Sequence, residues 1–213
     1  MKERPILFSG PMVRAILSGQ KTQTRRAVKA PGWAPGSGDY TGRMQLGLSA
    51  DDRVGLQAYF EHRETATWHG VRCPYGKPGD RLWVRETFAK IDGQTRPWIE
   101  TDYRATYTHG DRLGDSLGIK KRWTPPIHMP RAASRITLEV IGIRVERLQD
   151  ISEADAIAEG LQRTDGGAWL PGPCDHPEWA YHQLWDQING PGAWDVNPWV
   201  WVVEFKRLDG AAP

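Results

Sequence analysis

At 213 residues, with 39% apolar and 25% charged side chains, the chain has the make-up of a soluble globular protein, long enough for one well-buried domain and short for two. No run of about 18 apolar residues exists to span a bilayer, and a net charge of +2 leaves attraction to nucleic acid to local clusters rather than a global field. Two cysteines, Cys73 and Cys174, exclude a disulfide framework of the secreted kind.

The start, MKERPILFSGP, is basic but lacks a sustained apolar stretch and a small-residue cleavage site, so a cytoplasmic protein is expected. RPILFS reads as a short strand. Met12 and Ile16, with Val13 and Leu17, recur at helical spacing. Pro11 suits a first helical position and Gly19 the residue past the end. Residues 31 to 72 begin with APGWAPGSGDYTGRM and read as a long Gly/Pro-rich insertion or loop in a single domain covering 1–213. GKPGDRLWVRETF supplies a turn, then a strand with Leu82, Val84 and Glu86 opposite Trp83, Arg85 and Thr87.

YRATY is a weaker strand candidate. SRITLEVIGIRVERL gives a long strand with an interruption expected at Gly142. DISEADAIAEG is a helix capped by Ser152 and stopped by Gly160, and HPEWAYHQLWDQI is a second. The last strand, NPWVWVVEFKRL, puts Trp199, Trp201, Val203 and Phe205 on one face. Strands outnumber helices and no βαβ alternation occurs. An α+β fold is therefore expected, a small β-barrel with helices packed outside it. Eleven tryptophans are read mainly as core, with base stacking as the other use.

GQKTQTRR, residues 19–26, is the densest cluster of chemistry. It lacks the second glycine and the strand–loop–helix setting of a phosphate loop, which is rejected. Arg25, Arg26 and Lys29, with Arg14, can form a basic strip that contacts phosphates, or a solvated strand edge. Strand alternation over 22–26 puts Thr22, Thr24 and Arg26 on one face and Gln23 and Arg25 on the other. Lys21, still in the turn, is free to fold toward Thr24. A hydroxyl, an ammonium and a guanidinium can then converge, and threonine needs a base to become a nucleophile. Glu159 is the candidate carboxylate, because a helix C-terminus disfavours negative charge and helix stability does not explain it there. A solvated surface position is the alternative.

These residues resemble the Gly-x-Lys-x-x-Glu/Thr-x-Arg signature of ASCH domains, with Gly19, Lys21, Thr24 and Arg26 on its fixed positions. The resemblance extends to PGDRLWVRE, ISEADAIAEG and WVWVVEFKRL, and the chain is most similar to the longer, tryptophan-rich ASCH proteins of phages and prophages. It implies a PUA-like barrel and an RNA-related role. Thr24 is the variant found in small bacterial ASCH amidohydrolases that act on N4-acetylcytidine. In those enzymes the loop lysine and threonine, with a glutamate on the later helix, are the proposed catalytic residues. Carried over, these are Lys21, Thr24 and Glu159; Arg26 and Arg25 are read as substrate contacts, and Trp83 either as a base-stacking contact in the barrel mouth or as core. The expected partner is RNA or a modified nucleoside or nucleotide, with no cofactor. A non-catalytic RNA-binding module, using also Lys120, Lys121 and Arg122, and a ribonuclease are the competing readings.

His69 with Cys73 and Cys174 with His176 have types suited to zinc, but H-x-x-x-C and C-x-H are not its usual spacings. No metal is expected. Glu86 is a further carboxylate without an assigned place.

Overall fold

The computed structural model describes residues 1–29, 40–49, 55–92, 99–108, 122–171 and 174–208. Strand β1 (Glu3–Leu7) leads into α1 (Gly10–Leu17), which has proline in its first turn and ends before Gly19 at φ +78°. Strands β2 (Gln23–Ala27), β6 (Arg81–Arg85), β9 (Thr137–Arg147) and β10 (Trp199–Arg207) join β1 in a five-stranded sheet of order β1-β6-β9-β10-β2. Only β1 and β6 run parallel; the other pairs are antiparallel. Helices α2 (Glu153–Ala158) and α3 (Pro177–Asn189) complete the α+β architecture. Among the described residues no helix is long and apolar enough to cross a membrane.

The expected small barrel is not closed. β1 and β2 are the two edges of an open sheet. One side-chain link spans them among the described residues: the Arg26 guanidinium donates to the Leu7 carbonyl at 2.7 Å. β9 continues past Gly142 instead of breaking there. The register with β10 shifts so that Glu204 faces Gly142 while Phe205 faces Val140. A Cβ at Gly142 would lie 2.7 Å from a Glu204 carboxylate oxygen, so glycine lets the bulge close.

The insertion is not a plain loop. β3 (Tyr40–Leu48), β4 (Leu56–His62) and β5 (Trp68–Arg72) form a three-stranded antiparallel sheet. Alternation along β4 buries Leu56, Ala58 and Phe60 in the main core with Ile6, Val13, Leu82, Val84, Leu138, Trp201 and Phe205. YRATY is likewise corrected. Strand β8 (Ile99–Tyr103), paired with β7 (Phe88–Asp92), ends where that segment begins, and Arg104–Thr106 is a 3-10 turn.

β10 is buried on both faces. Trp201, Val203 and Phe205 enter the main core, while Val200 and Val202 meet Ala156, Tyr181 and Trp185 of α2 and α3 in a second cluster. That second cluster holds α2 and α3 beside the edge strand β2.

Candidate functional site

Lys21 leaves the turn after α1 with its amide bonded to the Ala15 carbonyl, and Thr22 N–H donates to the Ala158 carbonyl at the end of α2. The loop is thus pinned between two helix ends. Ser152 caps α2 by accepting from the Asp155 amide at 3.2 Å, and Gly160 lets the chain leave at φ +87°. A Cβ on Gly160 would lie 2.8 Å from both the Ala15 and Lys21 Cβ atoms, so only glycine allows this approach.

The result is a buried ion pair. Lys21 Nζ donates to Glu159 Oε2 at 2.8 Å and to the Glu159 backbone carbonyl at 2.7 Å, with side chains only 0% and 2% exposed. The ammonium therefore also caps the α2 C-terminus. Burial lowers the Lys21 pKa from its ordinary 10.5, with Glu159 opposing that shift.

Arg25 supplies the second cation. Its Nη1 reaches Glu159 Oε1 at 3.3 Å, and its Nη2 bonds to Glu146 and, at 3.0 Å, to Asp155. Burial works against its charge, but Glu159 and Glu146 outweigh this and hold its pKa above the usual value. Arg144 extends the network to Glu146, Asp155 and Glu204. Three cations and four carboxylates thereby join the turn before β2 to β2, α2, β9 and β10.

A small cleft, partly open to solvent, runs along the edge of β2. Thr24, Arg25, Arg26 and Glu159 line it together with Tyr181 and Trp185 of α3. Thr24 is itself buried in the cleft wall. Burial and the Glu159 charge raise the Tyr181 hydroxyl well above 10.0, so it stays a neutral phenol.

Sequence reasoning and structure agree on the approach of Lys21 to Glu159, and Lys21 Nζ and Arg26 lie over the same Phe8 ring. Arg25, not Arg26, bonds to Glu159; Arg26 lies 5.4 Å from the Phe8 ring centroid and donates to Leu7. Both still line the cleft. Lys21 is not a lining residue but sits behind Glu159. Trp83 is elsewhere, buried on β6 with the Arg85 guanidinium 4.6 Å from its ring centroid. Glu86 is held by Arg135 at 2.9 and 3.0 Å, away from the cleft. Arg14 donates to the Ala105 carbonyl, Lys29 and Arg122 are exposed, and Lys120 and Lys121 lie outside the described residues.

Tyr181 and Trp185 were missed by sequence reasoning, although their i, i+4 spacing on a recognised helix signals a shared face. Cys73 belongs to the main core and Cys174 packs on the second cluster, so the two suggested zinc pairs are not brought together. Glu153, His176 and Glu178 offer ligand atoms within 4.8 Å of one another at the surface, where a cation can be held apart from the cleft. Comparisons with protein-family models, curated proteins and solved structures found no match.

Proposed function

We propose that the chain is a PUA-like ASCH domain acting in the cytoplasm, whose cleft binds a modified nucleoside, free or in RNA, and hydrolyses an N4-acylated cytidine amide. Its main support is that Thr24 and Glu159 are walls of one cleft, with Glu159 bonded to Lys21 and Arg25. A hydroxyl nucleophile requires a proton acceptor, and the tetrahedral intermediate requires positive charge close by.

In this mechanism Thr24 Oγ attacks the acyl carbonyl carbon while Glu159 takes the hydroxyl proton. Lys21 and Arg25 orient that carboxylate, and Arg26 balances the oxyanion. Collapse breaks the C–N4 bond, and the proton on Glu159 passes to the leaving amine, giving cytidine. Water then attacks the threonine ester, releasing the carboxylic acid and restoring the hydroxyl. Tyr181 and Trp185 supply flat apolar walls for the base.

A second reading has its own support: both Glu159 carboxylate oxygens already accept hydrogen bonds, as expected of a purely structural anchor. The chain would then bind RNA or a nucleotide without reaction. Purified protein incubated with N4-acetylcytidine separates the two. Hydrolysis gives cytidine and acetate by chromatography, falling about 10²- to 10⁴-fold in Glu159→Gln and also in Lys21→Ala. Salt-dependent binding of single-stranded RNA with no product favours the binding module, and shortened oligonucleotides favour a ribonuclease.

A further inference from the structure

Two buried donors on residues of the cleft wall have no hydrogen-bond acceptor among the described residues: Trp185 Nε1 and Arg25 Nε. Buried polar groups normally find partners, so each asks what completes it. The Nε atoms of Arg4, Arg81 and Arg85 and the Trp199 indole nitrogen also lack acceptors, but none of these residues lines the cleft. Trp185 is 5% exposed, held in the cluster of Val200, Val202 and Ala180. The terminal nitrogens of Arg25 are fixed by Glu146, Asp155 and Glu159. Tyr181 connects the two donors: its ring centroid is 5.9 Å from the Arg25 guanidinium carbon and 6.2 Å from the Trp185 ring.

The unmet groups are donors, so the missing group is an acceptor. An anion is disfavoured there, because Glu159 faces the same cleft and three carboxylates already match the Arg25 charge. Met12, Leu184 and Ile188 add apolar wall, which suits a flat, uncharged ligand.

We propose that Trp185 determines specificity in this cleft: its Nε1–H donates to a carbonyl oxygen of an uncharged ligand. Resting on the nucleoside reading above, this gives the ligand either a pyrimidine ring carbonyl or an acyl carbonyl. A site built to donate to a carbonyl rejects analogues that lack one, because its buried donors then stay unpaired.

The test uses the whole chain labelled with ¹⁵N at tryptophan indoles, titrated with N4-acetylcytidine, cytidine, N6-acetyladenosine and adenosine. A downfield move of the Trp185 indole N–H resonance with cytidine assigns the ring carbonyl; a move with N6-acetyladenosine but not cytidine assigns the acyl carbonyl. Trp185→Phe is expected to weaken binding of the responding nucleosides about 3- to 10-fold more than that of adenosine, the worth of one neutral hydrogen bond. The wild-type resonance keeps the test valid if Trp185→Phe folds poorly. Saturable binding with Trp185 unmoved, or an equal move with adenosine, overturns this assignment alone. Binding with the Trp185 shift but without hydrolysis upholds it and removes the hydrolase reading; no binding by any of the four overturns both.

Discussion

Glu159 stands where a helix least favours a carboxylate, and the compensation comes from outside the helix. Lys21 bonds to its side chain and to its main-chain carbonyl, and Arg25 takes the other oxygen. Removing one partner of a fully buried pair leaves the other charge uncompensated, at a cost of about 3 kcal/mol. Glu159→Gln should therefore lower the urea midpoint accordingly, and Lys21→Met combined with Glu159→Gln should cost less than the sum of the singles. Additive losses would show that the two side chains do not interact.

Cys73 gives a prediction of a different kind. Burial lifts its thiol pKa from 9.0 to about 11. The folded state thus disfavours the thiolate, so stability is intact below pH 9 and falls as pH rises toward 11. A shift of about two units corresponds to roughly 3 kcal/mol. Denaturation curves from about pH 8 to about pH 11 should show this slope in the wild type and a shallower one in Cys73→Ala. At this scale Lys21, Thr24 and Glu159 were legible, because motif spacing and the helix dipole singled them out. The hydrogen bond of Arg25 to Glu159 was not. Alternation correctly separated the faces of Arg25 and Arg26, but nothing local says on which face of β2 the end of α2 will settle.

Among the elements, α2 is short and depends on its ends. Ser152 holds the start, and Gly160 allows the close approach of Ala15 and Lys21. Gly160→Ala forces an alanine into left-handed backbone and a Cβ into contacts of 2.8 Å. The loss should be about 2–5 kcal/mol by denaturation, with reduced ligand affinity because Glu159 shifts with the helix end. Unchanged stability would mean that α2 does not seat against this loop.

The helices themselves were readable from their caps and periodicity. The neighbours of α3 were not, since the Tyr181 and Trp185 face could equally cover a core or line a cleft, and here it does both. β10 shows the same limit. Alternation found one apolar face, but burial of Val200 and Val202 on the other depends on helices packed there.

At the level of the molecule, the Gly/Pro-rich look of residues 31–72 concealed a sheet, because turn residues dominate its start while β4 carries the alternating pattern. Phe60 is wholly buried against the main core, and its ring meets Trp199 edge-on at 6.4 Å. Phe60→Ala should cost about 3–5 kcal/mol and lower the melting temperature of the whole domain in one transition. A separate early transition would mark the small sheet as an independent unit.

The α+β composition was legible from strand and helix counts. Barrel closure was not, since it depends on whether the edges of β1 and β2 meet, and here an arginine spans them instead of a ladder. The meeting of α1, β2, the end of α2 and α3 at one cleft matters only if that cleft reacts. The most direct measurement is steady-state hydrolysis of N4-acetylcytidine by the wild type and by folded Thr24→Ala. Cytidine should form with the wild type and fall at least about 10²-fold in the variant. No cytidine from the wild type, or undiminished turnover by Thr24→Ala, would contradict the account.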